Sequence, residues 1–251
     1  MTSADAYQLT SKPSPLRANL AHIWRVRISP PVGASDDTLP DHTLSRSLSE
    51  DERARGARFK FNKHRYRYVA ARAALRRLLA GYAGVDPAEL GFDYGLQGKP
   101  RIEQPVAAQQ ISFNMSHSGD LALFAFTIGP RIGVDIEAVR KMPNALGIAR
   151  RFFTSDEAEL LAAADDVSDM FFRFWTRKEA VIKAVGTGLA TPLSDFDVSS
   201  GLRDDEPWRT VRVASLPADV WAVHDLPAAE GYRAAICVET TPLEVECYRE
   251  E

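Results

Sequence analysis

The chain reads as an α+β protein made of two similar α+β units. Three observations predict this. The coarse order is strand, helix, strands, and then strand, helices, strands; the two runs meet near Gly129-Pro130. With 251 residues and 45% hydrophobic content, the chain can bury one large core or two small ones.

The elements follow in order. Residues 1–20 are rich in Ser, Thr, Pro and Ala and read as a flexible extension. They lack the basic start and apolar core of a signal peptide. Residues 22–28 alternate apolar and basic side chains, as a half-buried strand does, and Pro30, Pro31 and Gly33 end it. Ser49 followed by Glu50, Asp51 and Glu52 opens a helix with acids at its positive end. A longer helix is expected over roughly 62–82, stopping at Gly84. Residues 91–95 and 98–100 read as turns. Strands over 111–114 and 121–126 flank a tight turn at Ser116, His117, Ser118 and Gly119. A strand over 132–137 follows. Thr154 and Glu157 then form a capping box for one helix, and a second covers roughly 169–185. Short strands at 211–213, 220–223 and 234–238 complete the tail. The expected division is thus an extension over 1–20, one half over 21–130 and a second half over 131–251.

The balance of charge is 31 Lys and Arg against 34 Asp and Glu, a net −3, which argues against a strongly basic nucleic-acid binder. Cys237 and Cys247 have no metal-ligand spacing, and a reduced compartment is the simpler reading. No apolar run approaches the roughly 20 residues of a membrane span, so a cytoplasmic protein is expected. One local asymmetry stands out: ten Lys or Arg fall between Arg53 and Arg77, with no acid from there to Val85. Such a segment suits an anionic partner; its plain alternative is a solvated helix face.

Two stretches carry the chemistry. In Ile132-Gly133-Val134-Asp135-Ile136-Glu137, the two acids share one strand face about 7 Å apart, with Val134 and Ile136 turned to the core. Two carboxylates at that spacing suit a hard divalent cation; an ordinary strand with a solvated acidic face has the same pattern. In Trp175-Thr176-Arg177-Lys178-Glu179-Ala180-Val181-Ile182-Lys183, Glu179 and Lys183 share one helix face. They could equally form a surface ion pair, or Thr176 and Glu179 a capping box. The flanking Trp175 and Gly186-Thr187-Gly188 are unusual for a solvent-facing helix. Ser116 and His117 could hold a phosphate or merely furnish a polar turn, and Gly98-Lys99-Pro100 fixes a lysine in a stiff turn. No Walker loop, no dinucleotide fingerprint and no zinc spacing appears.

Taken in order, Gly-Lys-Pro, Phe-Asn-x-Ser-His-Ser, Ile-Gly-Val-Asp-Ile-Glu, Arg-Phe-Phe, Trp-Thr-x-Lys-Glu-Ala-x-x-Lys and Gly-x-Gly-Leu closely resemble the surfactin-type (Sfp-like) 4′-phosphopantetheinyl transferases, from about Arg55 to Leu189. The resemblance implies two similar α+β halves in a pseudo-twofold arrangement, a monomer, and coenzyme A bound in the cleft between the halves. It implies transfer of the phosphopantetheine arm to a serine of an apo acyl or peptidyl carrier protein, with release of 3′,5′-adenosine bisphosphate. It places Asp135, Glu137 and Glu179 as Mg²⁺ ligands, Glu179 also as general base, and Lys183 on the phosphates and the leaving group. Lys99, Ser116 and His117 match phosphate or adenosine contacts, and Arg55 and Arg67 match cations on the 3′-phosphate. Tyr68 departs from the pattern, standing where some relatives carry a small hydroxyl residue. The competing readings are a coenzyme A-binding regulatory or assembly protein without turnover, and a metal-dependent nuclease. Some of the basic segment is expected to steer an acidic carrier, through residues such as Arg65 and Arg76.

Overall fold

Strands that are apolar on both faces need a cover on each side, and this chain supplies it with four layers: helix, sheet, sheet, helix. The computed structural model describes residues 6–10, 13–31, 33–35, 38–40, 42–95, 98–200, 207–216 and 220–250. In the first half, β2 (Leu20–Arg27), α3 (Asn62–Ala83), β5 (Ile111–Ser118) and β6 (Leu121–Ile128) follow one another; β2 pairs antiparallel with β6, and β6 with β5. In the second half, β7 (Ile132–Ala138), α6 (Val167–Val185), β9 (Val220–Asp225) and β10 (Tyr232–Glu239) repeat the scheme: β7 pairs antiparallel with β10, and β10 with β9. β8 (Trp208–Arg212) extends the far edge. The two halves therefore repeat in topology.

Alternation along each strand divides the cores. Trp24, Val26, Phe124 and Phe126 pack under α3 with Leu75 and Leu79, while Ala21, Ile23, Leu123 and Ala125 turn to the opposite sheet. In β10, Ala235 and Cys237 pack under α6, while Ala234, Ile236 and Val238 face the first sheet. Val134 and Ile136 belong to this sheet-to-sheet core, as expected. Their neighbours Gly133 and Asp135 consequently point to the α6 side.

The helix ends form as the sequence indicates. Ser49 caps α2 (Glu50–Ala57) and Thr154 caps α5 (Ser155–Ala162), each through a full capping box. Gly84 and Gly186 end α3 and α6 in the left-handed region, at φ 68° and 83°. Short helices α1 (His42–Arg46) and α4 (Ala145–Phe152) complete the set.

Four expectations change. Residues 91–104 contain a small hairpin, β3 (Gly91–Tyr94) with β4 (Pro100–Gln104), where turns alone were expected. Ser116, His117 and Ser118 lie within β5, because the hairpin closes at Gly119 and Asp120 with Gly119 at φ 57°. A last strand, β11 (Glu244–Arg249), crosses back to run parallel beside β2. Of the supposed extension, residues 1–5, 11 and 12 lie outside the described residues; Tyr7 is buried, and β1 (Gln8–Leu9) pairs with β11.

At Gly133, α6 approaches β7 so closely that a Cβ would fall on the carbonyl oxygen of Ala180 and the amide of Ala184. Gly133→Ala is expected to lower stability by about 3 kcal/mol, as backbone on both sides must part. Urea unfolding checks this; an unchanged midpoint would show that α6 can slide away freely.

Candidate functional site

The contact of α6 with β7 sets the site. Asp135 is 3% exposed and lies under α6, with its Oδ1 accepting from Lys183 Nζ at 2.6 Å. Ser116, reaching over from β5, donates to the same Oδ1 at 2.6 Å and accepts from Lys183 Nζ at 2.8 Å. The other oxygen, Oδ2, is buried with no hydrogen-bond partner among the described residues. A solvated acidic face is thereby excluded for Asp135. The capping-box alternative also fails: Thr176 lies inside α6 and donates to the carbonyls of Phe172 and Arg173.

Glu137 and Glu179 share the neighbourhood. Burial raises the pKa of both. At Glu179, Lys183 opposes that rise while Asp135 and Glu137 add to it. At Glu137, the Ser118 hydroxyl opposes it, at 2.7 Å from Oε2. The four expected residues are thus gathered at one place, but loosely. Among the described residues, no three carboxylate, histidine or cysteine side chains converge closely enough to form a finished metal site. The donor chemistry does fit a hard cation: oxygen only, with Asp135 Oδ2 left over.

Around this centre the other expected residues divide. His117 keeps an exposed edge; partial desolvation first, then Lys183 and Arg67, lower its pKa and favour the neutral ring. Arg67 donates to Asp120 Oδ1 at 2.6 Å and keeps Nε buried without a partner among the described residues. Arg55 is exposed, 5.7 Å from the ring of Tyr68, and lines a cavity of about 590 Å³ with Arg58 and Phe59. Tyr68 in turn packs on Phe59 at 5.3 Å.

Lys99 departs from expectation. Its ammonium donates to the carbonyls of Ile132, Lys183 and Ala184, at 3.0, 2.6 and 3.3 Å. Burial, then Arg131, pulls its pKa down to about 8. It clamps the end of α6 to the start of β7, and all three of its protons are engaged there.

The basic segment also separates. Arg76 is 2% exposed and locked to Glu52 Oε2 and to the carbonyls of Pro87 and Leu90. Arg72 also pairs with Glu52, and Arg77 with Glu250. The steering role expected of Arg76 is therefore withdrawn. Arg55, Arg58 and Lys60 are exposed, and Arg65 is half-buried.

Three groups escaped the sequence reading. Lys178 and Glu157 are fully buried and paired at 2.7 Å, and Lys178 also donates to Leu193 and Phe196 carbonyls. They fix the rotation of α6 and hence the aim of its next residue, Glu179. Asn114 Oδ1 accepts from Val134 N at 2.9 Å, and Ser118 reaches Glu137. The polar alternation 114, 116, 118 was a legible strand signal, had β5 not been ended at Asn114.

Comparison with known proteins gives consistent matches. Residues 131–237 match a family model described as 4′-phosphopantetheinyl transferase superfamily, and residues 41–128 match one described as 4′-phosphopantetheinyl transferase, N-terminal. The 4′-phosphopantetheinyl transferase HetI of Nostoc sp. is 37% identical over 89% of this chain and 89% of its own length. A Bacillus subtilis 4′-phosphopantetheinyl transferase is 34% identical over 73% of this chain and 77% of its own. The Sfp transferase of Bacillus subtilis is 35% identical over 60% and 66%.

The raised carboxyl of Glu179 makes a signed prediction. A group raised in the folded state costs stability once pH exceeds its unfolded value, and costs nothing where both states are protonated. Glu179→Gln is thus expected to melt above the native chain at pH 7 in metal-free buffer, with the difference closing near pH 4. Thermal unfolding across that range tests it; a Gln variant that melts lower at pH 7 would contradict the burial penalty.

Proposed function

The chain belongs to the 4′-phosphopantetheinyl transferase superfamily, and on that premise we propose that it moves the 4′-phosphopantetheine arm of coenzyme A to a serine of an apo acyl or peptidyl carrier protein in a Mg²⁺-dependent reaction. The observation that carries this reading is the cluster under α6: Lys183 and Ser116 on one oxygen of buried Asp135, the other oxygen free, and Glu179 alongside.

In this proposal Asp135, Glu137 and Glu179 would hold Mg²⁺, which when bound would supply positive charge against the pyrophosphate. Glu179 is the carboxylate on this face that would take the proton of the carrier serine. The serine oxygen bonds to the phosphorus bearing the pantetheine arm. The bond from that phosphorus to the bridging oxygen breaks, and 3′,5′-adenosine bisphosphate leaves. Lys183 Nζ is the group on this face that can meet the leaving phosphate with a positive charge and a proton. His117, neutral and partly exposed, and Arg67, with a spare Nε–H, suit hydrogen bonds to the nucleotide phosphates. Arg55 suits the 3′-phosphate from its exposed position. The halves 21–130 and 131–251, with β1 and β11 joining the first, are proposed as the two walls of the cleft. A cytoplasmic location and a monomer belong to the same proposal; among the described residues, no helix is long and apolar enough to cross a membrane.

Incubation with coenzyme A, Mg²⁺ and a panel of apo carriers, followed by intact mass measurement, tests the reading. A gain of one phosphopantetheine is expected, reduced at least about 100-fold in rate by Glu179→Ala. Coenzyme A binding with no gain on any carrier would favour a regulatory binder.

The two arginines separate steering from structure. Arg65→Glu is expected to raise the carrier concentration for half-maximal rate several-fold while leaving coenzyme A affinity unchanged. Arg76→Glu is expected to cost about 3–5 kcal/mol of stability, since it leaves buried Glu52 facing a like charge. Equal effects of the two on carrier use alone would refute this division.

A further inference from the structure

We infer that Ser118 is a positioning residue that fixes which carboxylate oxygen Glu137 offers to the metal. This rests on the metal reading above. Ser118 ends β5, and its Oγ stands between two groups of β7. It accepts from the amide of Ala138 at 3.1 Å and donates to Glu137 Oε2 at 2.7 Å. A hydroxyl has a single proton, so the incoming N–H leaves that proton aimed at the carboxylate. Oε2 is thereby engaged, with Arg140 a further 3.7 Å away, and Oε1 is the oxygen left for a cation. Glu137 has three rotatable side-chain bonds, and a hold on one oxygen removes freedom that metal binding would otherwise have to restrict.

Ser118 is itself firmly placed. The next residue, Gly119, takes φ 57°, and a Cβ there would lie 2.7 Å from Tyr232 Oη. The amide of Asp120 donates to the same oxygen at 3.4 Å, and the Asp120 carboxylate holds Arg67. Tyr232 stands opposite Ala138 in the β7–β10 ladder. The hairpin tip thus leans on the strand pair that carries Glu137, and the serine moves only if that frame moves. Asn114 and Ser116 form the same row on β5, one holding the backbone of β7 and the other Asp135.

Mn²⁺ uptake by the full chain, followed by the electron spin resonance of the free ion with and without coenzyme A, tests this. Ser118→Ala is expected to weaken Mn²⁺ binding about 10-fold and to raise the Mg²⁺ needed for half-maximal transfer by the same factor. The rate at saturating Mg²⁺ and the metal-free affinity for coenzyme A should stay near native. Ser118→Thr should restore the metal affinity. Ser118→Cys, which keeps the shape and weakens the donor, should behave like the Ala variant and serves if that one fails to fold. Native Mn²⁺ affinity in Ser118→Ala or Ser118→Cys would overturn the inference and leave the metal reading intact. So would a loss of rate at saturating Mg²⁺ with metal affinity unchanged. A native chain that takes up no Mn²⁺ even with coenzyme A would overturn the metal reading first, and this inference with it.

Discussion

The approach of α6 to β7 at Gly133 is the constraint on which the site depends. No side chain fits between the two backbones there. This brings the Glu179–Lys183 face of the helix over the strand face that bears Asp135. A side chain at 133 would push α6 off the strand and lengthen the 2.6 Å contact of Lys183 with Asp135 Oδ1. Lys99 reinforces the same contact by tying the end of α6 to the first residue of β7. The buried Lys178–Glu157 pair fixes the helix about its own axis. A buried ion pair adds little net stability but penalises any rotation that would strand one charge.

The second element is the junction of the two halves. Strands β5 and β7 lie side by side at the facing edges of their sheets, yet neither pairs with the other. Asn114, Ser116 and Ser118 stand in for a ladder, each spending a side chain on β7. Backbone pairing would have satisfied these groups at less cost in ordering. The side-chain row instead places hydroxyls among carboxylates, where they can adjust charge and geometry. The site carries a stability penalty accordingly, because two half-buried carboxyls with raised pKa values oppose folding when ionised. Conflict of this kind between folding and local chemistry is what a working site tends to show.

Much of this was legible in the sequence where one local rule decided the outcome. The helix start at Ser49, the capping box at Thr154 and the glycine stop at 84 came out as expected. The same face for Asp135 and Glu137 follows from the period of a strand. What that face meets does not, because burial of Asp135 depends on a helix whose Lys183 lies 48 residues away in sequence. The return of β11 to the first sheet was illegible for a similar reason: parallel pairing at long range has no turn to announce it. Arg76 and Lys99 read as free cations by composition. Their partners, Glu52 and three backbone carbonyls, are set by tertiary packing alone.

The most direct measurement is a crystal structure of the full chain with coenzyme A and Mn²⁺, using the anomalous scattering of the ion to locate it. The account predicts one strong peak beside Asp135, Glu137 and Glu179, at the seam of β5, β7 and α6, with the pyrophosphate completing its shell. A peak elsewhere, or a nucleotide bound away from that seam, would contradict it.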